Sequence, residues 1–293
     1  MDVEHYLARI GYTGSREPTL ETLRALHRAQ LYTVPFENLD IDLGRPIALD
    51  EAAIFAKIVG RRRGGFCYEL NGLFAALLRA LGFRVALLAA GVYNGGKGAF
   101  GPEYDHLALR VDLDRPWLAD VGFGDSFLYP LLLDTNEEQV DSGRPAPLVR
   151  PVGEGIWQDR FRIVGTVGAR IMQRRDWTDE WRDQYRLSLT PRHWSEFAPM
   201  CHYHQTSPES GFTRGRICSL ATPMGRVSIA DSRLLVTANG VKRETPLADE
   251  AARAVALREY CGIVIYPPPA ANSTPRRGEN RDPRNQQSSS PRL

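Results

Sequence analysis

The sequence predicts a multidomain α+β protein with a helical N-terminal unit, a β-rich middle and a mixed C-terminal unit. Over about the first 80 residues, apolar side chains recur every three or four positions, which is the spacing of a helix face. From residue 84 they recur at every second position, which is typical of strands. After about residue 212, short strand patterns separated by turn signals precede one more helix pattern.

Three helices are predicted in the N-terminal unit. The first follows Thr19, whose hydroxyl can cap it, and the second opens at Asp50 and stops at Gly60. The third begins near Cys67 and ends at Gly82. Its apolar face is the clearest in the sequence and consists of Leu70, Leu73, Phe74, Leu77, Leu78 and Leu81.

The middle unit is predicted to be a barrel or a sandwich of strands. Residues 84–94 form a strongly apolar run, and residues 107–113 alternate between apolar and polar. Residues 116–121 return after a short polar turn, and residues 161–167 show one more strand pattern. A helix is predicted around residues 194–203.

The last unit contains short strands and one helix. Turn signals lie at residues 222–225 and 239–240, and the second, Asn-Gly, is typical of a type I′ turn. The helix covers about residues 248–260. Residues 267–293 are rich in Pro, Arg, Asn, Gln and Ser and are predicted to be a disordered tail.

These patterns divide the chain into four segments. The helical unit is predicted at residues 1–83 and the β-rich unit at residues 84–204. The α/β unit follows at residues 205–266, and the tail completes the chain.

Composition and charge exclude several classes of protein. The chain has 293 residues, of which 43% are hydrophobic and 25% are charged, as in ordinary globular proteins. No apolar window is long enough to span a membrane, and the N-terminal residues lack the pattern of a secretory signal, so a cytoplasmic protein with no membrane partner is expected. The net charge is +2, but residues 267–293 alone contribute +3. Residues 1–266 therefore carry a net charge of −1 and offer no basic face for nucleic acid.

Cys67 is the candidate nucleophile. The four cysteines form no C-x-x-C pair, so neither disulfides nor a metal site is expected. Two glycines, Gly64 and Gly65, make a tight turn before Cys67, where a helix begins. A thiol at this end of a helix lies at the positive end of the dipole, which favours the thiolate. The alternative is a buried, inert cysteine.

His106 and Asp120 lie on a predicted hairpin. If its turn is centred near Leu113, the two residues oppose each other directly, with Cβ atoms ~5 Å apart. Asp120 lies among apolar residues, where a carboxylate usually has a specific partner. With Cys67, the pair would supply the nucleophile, base and orienting acid of covalent catalysis. The alternative is a His–Asp pair on a solvated strand face.

The chain resembles the arylamine N-acetyltransferases through several motifs in the family's order over roughly residues 1–265. These motifs are residues 34–40 (VPFENLD), 62–67 (RRGGFC), 105–107 (DHL), 119–124 (ADVGFG), 205–208 (QTSP) with Phe212, and 218–223 (CSLATP) with Gly225. The resemblance implies an N-terminal helical bundle, a central β-barrel and a C-terminal α/β lid. It also implies a Cys-His-Asp triad like that of papain-type enzymes, here Cys67, His106 and Asp120.

The resemblance further implies substrates and the residues that bind them. The acyl donor would be acetyl-CoA, and the acceptors would be arylamines, arylhydrazines and N-hydroxyarylamines, with no metal required. Phe36, Val92 and Phe123 match positions that line the acceptor pocket, and Tyr203 matches a position implicated in CoA binding. Two departures are Leu70, where many bacterial relatives have Gln, and Glu209, where some relatives use a hydroxyl near CoA. The chain is expected to be a monomer or a homodimer.

Other functions remain open from the sequence. An amide synthase of the same fold would share the triad but take its acyl group from a polyketide carrier. A papain-like or transglutaminase-like hydrolase would need a groove for a peptide, and a scaffold protein would not need all three triad residues. The segment 201–204 could suggest metal ligands, but no second cluster completes a set of four.

Overall fold

The computed structural model describes residues 1–141, 148–149, 156–157, 159–166, 168–175, 179–239 and 241–265. The predicted tail at residues 267–293 lies outside the described residues, as does Gly240 of the predicted Asn-Gly turn.

The N-terminal region is helical, as predicted. Its helices are α1 (Val3–Arg9), α2 (Leu20–Thr33), α3 (Leu39–Asp42), α4 (Glu51–Phe55), which continues into a π-helical turn (Ala56–Gly60), and α5 (Cys67–Ala80). Thr19 caps α2 by accepting the Thr22 N–H at 3.2 Å, as the sequence predicts. Helix α1 was not predicted, and Asp2 caps it by accepting the His5 N–H.

Strands dominate the rest of the described chain. They are β1 (Phe36–Glu37), β2 (Arg84–Asn94), β3 (Ala99–Phe100), β4 (His106–Asp112), β5 (Pro116–Ala119), β6 (Leu131–Leu132), β7 (Gln139–Val140), β8 (Leu148–Val149), β9 (Ile156–Trp157), β10 (Arg160–Gly165), β11 (Ala169–Arg175), β12 (Trp181–Arg192), β13 (Ile217–Thr222), β14 (Gly225–Ala230), β15 (Arg233–Ala238) and β16 (Val241–Pro246). Between them lie a 3₁₀ turn (Trp194–Phe197), α6 (Ala198–Thr206) and α7 (Gly211–Arg214), and α8 (Glu250–Cys261) follows β16.

The middle strands form an antiparallel sheet that nearly closes into a barrel, which confirms one of the two predicted architectures. The strand order is β6-β5-β4-β2-β12-β11-β10-β7, with β3 paired to β2. The two end strands are joined by a side chain: Gln139 on β7 accepts the Leu132 N–H of β6 at 2.7 Å and donates to its carbonyl at 3.0 Å. A side-chain amide therefore replaces the backbone pairing that would complete the barrel.

A second sheet connects the C-terminal region to the helical region. Its order is β1-β13-β14-β15-β16, so a short N-terminal strand pairs with β13 through Phe36↔Ser219 and Glu37↔Cys218. Helix α8 packs on this sheet around the buried residues Cys218, Ile229 and Leu257. The predicted order of short strands followed by a helix is confirmed here.

A buried ionic cluster supports the turn that precedes α5. Arg63 donates to Glu37 and also contacts Asp40 at 3.0 Å, while Lys57 contacts Asp40 at 2.9 Å and Glu69 at 2.8 Å. Glu69 also accepts the Phe66 N–H at 3.1 Å, which caps α5. Burial raises the pKa of Glu69 to about 7. The cluster therefore fixes the chain on both sides of Gly64 and Gly65.

We expect Arg63→Ala to lower the free energy of unfolding by about 3–5 kcal/mol, because it leaves two buried carboxylates with too little positive charge. Chemical denaturation would measure the loss. Arg61→Ala is the matched control, since Arg61 is exposed on the same turn and its removal should cost less than about 0.5 kcal/mol. Equal effects of the two substitutions would contradict this role of the cluster.

Candidate active site

Helix α5 begins at Cys67, as the sequence predicts. Cys67 is 4% exposed and occupies the first helical position, so its backbone N–H has no acceptor within the helix. Eleven of the 14 residues of α5 are buried, because its apolar face packs against the α1–α2 layer and strands β2 and β4. The helix therefore carries the thiol into the interior beside the barrel.

The loop after β5 lies directly against the start of α5. A Cβ atom at Gly122 would come within 2.8 Å of the Cys67 Cα and 2.7 Å of the Asn71 Nδ2, so only glycine allows this approach. Asn71 follows Cys67 by one helical turn and donates to Asp120 Oδ1 at 2.8 Å and to the Leu107 carbonyl at 2.6 Å. One asparagine thus ties helix α5 to strand β4 and to the segment after β5.

The structure brings His106 and Asp120 together, although not through the predicted register. Their closest atoms, His106 Nε2 and Asp120 Oδ2, are 2.8 Å apart, and both residues are buried. The ladder pairs Leu109 with Ala119, so the turn is centred at Asp114 and not at Leu113. Moving the centre by one residue shifts the pairing by two, which keeps the side chains on the same face. The two residues are therefore diagonal neighbours.

Asp120 is held as an acceptor of three hydrogen bonds. Besides the contacts from His106 and Asn71, its Oδ1 accepts the Gly122 N–H at 3.0 Å. Burial acts to raise the pKa of Asp120, but the neighbouring His106 and these hydrogen bonds hold it below the ordinary value. The carboxylate is therefore ionised at neutral pH and accepts a hydrogen bond from protonated His106 Nε2. In the neutral ring, Nδ1 then carries the lone pair.

Burial and the helix position act on the Cys67 thiol in opposite directions. Burial raises the pKa of the Cys67 thiol well above its usual value, and the hydrogen bond from the Leu107 backbone lowers it only in part. Burial therefore opposes the effect of the helix start, which favours the thiolate. A base that takes the thiol proton would offset the effect of burial, and the Leu107 backbone that contacts the thiol directly follows His106.

The apolar residues predicted to bind substrate lie around these groups. The Phe123 ring is 5.2 Å from the His106 ring, and Val92 pairs across the sheet with Tyr185, whose ring is also 5.2 Å from His106. Phe36 forms an isolated bridge with Gly65, two residues before Cys67, and its ring is 6.1 Å from that of Phe212.

Tyr203 lies on helix α6. It is 38% exposed, and its ring is 5.5 Å from that of His204. His204 contacts Asp105, the residue before His106, at 3.0 Å.

Sequence reasoning missed two polar residues of the site. Asn71 was visible as a polar residue on the predicted apolar helix, one turn after Cys67, and this spacing could have identified it. The second is His27 on α2, and a lone histidine beside the apolar side of a predicted helix indicates no more than a structural role. Its ring is fully buried, and its Nε2 lies 3.0 Å from the Asp120 backbone nitrogen.

His27 makes stability depend on pH. Burial lowers the pKa of His27 to about 4, whereas an unfolded histidine titrates near 6.5. Between these values the unfolded chain binds a proton that the folded chain does not, so stability is lost as the pH falls from 6.5 to 4. We expect this residue to account for about 3 kcal/mol of that loss.

Chemical denaturation of wild type and of His27→Gln gives the free energy of unfolding of each at pH 7 and at pH 4. The wild type should lose about 3 kcal/mol more than the variant between these two pH values, and this difference is the contribution of His27. Equal losses in the two proteins would contradict the assignment.

The other three cysteines are also free and buried. Within the residues that the structure describes, no group of three His, Cys, Asp or Glu side chains is placed to hold a metal ion. Over the same residues, none of the helices has the length and apolar character needed to cross a membrane.

Comparison with known proteins places the chain in a family. A family model described as "N-acetyltransferase" matches residues 19–268. The chain is 37% identical over 245 residues to the pineal gland isozyme of arylamine N-acetyltransferase from Gallus gallus, covering 77% of this chain and 79% of the relative. It is also 37% identical over 234 residues to arylamine N-acetyltransferase 1 from Homo sapiens, with the same coverage.

The chain belongs to the arylamine N-acetyltransferase family. Solved structures of the family agree with the fold described above. The arylamine N-acetyltransferase of Mycobacterium marinum superposes with a TM-score of 0.79 at 30% identity, covering 89% of this chain and 93% of that protein. The same enzyme in complex with CoA superposes with a TM-score of 0.77 at 31% identity, again covering 89% and 93%. The α+β fold with a central barrel is therefore a property that this chain shares with the family.

Proposed function

We propose that this protein transfers the acetyl group of acetyl-CoA to the nitrogen of arylamines or arylhydrazines, and to the oxygen of N-hydroxyarylamines, through an acetyl-Cys67 thioester. The observation that carries the proposal is the 2.8 Å contact between His106 and an ionised Asp120, beside the helix that begins at Cys67. Membership in the arylamine N-acetyltransferase family supports the choice of donor and acceptor.

In the first half-reaction the Cys67 sulfur attacks the thioester carbonyl of acetyl-CoA. His106 Nδ1 takes the thiol proton, and Asp120 stabilises the imidazolium through Nε2. The Cys67 N–H, which is unpaired within the helix, donates to the oxyanion of the tetrahedral intermediate. The bond between the acetyl carbon and the CoA sulfur then breaks, and CoA leaves with the proton from the imidazolium.

In the second half-reaction the amine nitrogen attacks the acetyl-Cys67 carbonyl. His106 takes up the amine proton, and the Cys67 thiolate leaves and recovers a proton from the imidazolium. Phe123 and Phe36 supply apolar faces for a flat aromatic acceptor, with Val92 beside them. Tyr203, exposed on α6, is proposed to contact CoA.

We also propose a cytoplasmic location and a monomeric or homodimeric state. Four buried free thiols suit a reducing compartment, which supports the first part of this proposal.

Mass spectrometry after incubation with acetyl-CoA alone tests the function. We expect one acetyl group per chain on the Cys67 peptide, and its loss when an arylamine is added. Steady-state rates should follow a ping-pong pattern. An unmodified Cys67 peptide would overturn the proposal, and acylation only from a carrier-bound thioester would instead identify an amide synthase.

A further inference from the structure

His27 makes two buried hydrogen bonds that together fix its protonation. Its Nδ1 lies 2.8 Å from the Leu128 carbonyl oxygen, and its Nε2 lies 3.0 Å from the Asp120 backbone nitrogen. A carbonyl can only accept and a backbone N–H can only donate. The ring therefore carries its single proton on Nδ1 and offers the lone pair of Nε2 to Asp120.

The ring is also fixed by packing. It is fully buried, stacks on Phe127 with an interplanar angle of 11° and a centroid distance of 5.7 Å, and meets Phe74 edge-on at 6.1 Å. Helix α2 thus presents a rigid acceptor to the backbone at the end of β5. Asn71 holds the same segment from the other side, by donating to the Asp120 carboxylate and accepting the Val121 N–H at 2.8 Å.

We propose that His27 is a positioning residue for the reaction, in which its Nε2 holds the Asp120 backbone so that the Asp120 carboxylate meets His106 Nε2. This inference rests on the proposed function, because it assigns His27 to the same Cys67–His106–Asp120 group. Every contact of the Asp120 carboxylate depends on where its backbone lies, and the backbone N–H is held by His27 alone among the described residues. His27 does not touch the reacting atoms.

Two substitutions separate the two hydrogen bonds. In His27→Gln, the side-chain oxygen can reach the position of Nε2 and accept the Asp120 N–H, but the bond to Leu128 is lost. In His27→Asn, the side-chain nitrogen can reach the position of Nδ1 and donate to Leu128, but the bond to Asp120 is lost. Both variants remove the imidazole and both should unfold at lower temperature, so stability alone does not distinguish them.

Two readouts are measured at pH 7 and at a temperature where both variants are folded. The first is the rate of Cys67 acetylation by acetyl-CoA. The second is the rate of Cys67 alkylation by iodoacetamide, which reports on the Cys–His pair whatever the natural acyl donor is. We expect His27→Asn to lose about 10- to 100-fold in both rates with the KM for acetyl-CoA unchanged, because a small misplacement slows the reaction without weakening binding. His27→Gln should stay within about threefold of wild type.

The inference is overturned if the Asn variant matches wild type, or if the Gln variant loses as much as the Asn variant. If wild type is alkylated but not acetylated, the proposed function fails while the alkylation comparison still decides the role of His27. Nitrogen-15 NMR of the wild-type imidazole gives a test without substitution: the His27 signals must show protonated Nδ1 and unprotonated Nε2, and the opposite tautomer would overturn the inference.

Discussion

Replacing Cys67 by Ala is expected to abolish acetyl transfer while the protein stays folded. Turnover should fall by roughly 10³-fold or more, because no other group can form the acyl intermediate. The change removes one sulfur from a residue that is 4% exposed and makes no contribution to the ionic cluster before α5. Circular dichroism should therefore be unchanged, and mass spectrometry should detect no acetyl group after incubation with acetyl-CoA.

Cys201→Ala is the matched control for this prediction. Cys201 is 1% exposed, and its sulfur accepts a hydrogen bond from Gln205 Nε2 at 3.2 Å. Burial raises the pKa of Cys201 to about 12, and its sulfur contacts Gln205 and the Ile47 carbonyl rather than the His106–Asp120 pair, so it is expected to stay a thiol and take no acetyl group. The control should keep most of its activity and still acetylate Cys67. An acetyl group on another cysteine of the Cys67→Ala variant would contradict the assignment of the nucleophile.

Local patterns were sufficient to predict α5 and its first residue. The glycine pair and the apolar spacing that define this helix all lie within residues 64–82. The prediction that His106 and Asp120 are neighbours was correct although the predicted turn position was wrong by one residue. That error changes the pairing register by two residues, and an even change keeps the side chains on the same face of the sheet. Predictions of this kind need no knowledge of distant contacts.

Strand β12 was not predicted, since its outer face does not follow the usual alternation. Tyr185 and Leu187 point into the barrel and are fully buried. On the outside, Trp181 is covered by the guanidinium groups of Arg162 and Arg175 at 4.2 and 5.0 Å. Trp181 is an aromatic residue on the outer face, and the arginines that cover it come from neighbouring strands. The sequence of β12 alone therefore does not show the polar outer face that would indicate a strand.

The support of the site could not be read from the sequence because its partners are far apart along the chain. Asn71 contacts a carboxylate 49 residues later, and His27 contacts a carbonyl 101 residues later. Each of these side chains alone resembles an ordinary polar residue on a helix. Their role in supporting Asp120 becomes visible only in the folded chain, where the Asp120 segment lies between α2 and α5.

The second large effect is expected from Asp120→Asn. Asp120 Oδ1 accepts two N–H groups, from Asn71 and from Gly122, so an Asn side chain must place its oxygen there. Its NH₂ group then occupies the position of Oδ2 and faces His106 Nε2. Because the amide donates, the imidazole must carry its proton on Nδ1. That nitrogen can then no longer accept the Cys67 proton.

The expected result is a loss of about 10⁴-fold in the rate of Cys67 acetylation, with the KM for acetyl-CoA changed little. Rapid-quench mass spectrometry of the acetyl-enzyme would measure the rate. Asp159→Asn is the matched control, since it also removes a buried carboxylate of the barrel region. Asp159 is 8% exposed and contacts Arg174 at 2.7 Å. The control tests general loss of barrel stability and should stay within about tenfold of wild type. If Asp120→Asn kept more than a tenth of the wild-type rate, the carboxylate would not be setting the protonation of His106, and the base would have to be oriented by Asn71 and the barrel wall alone.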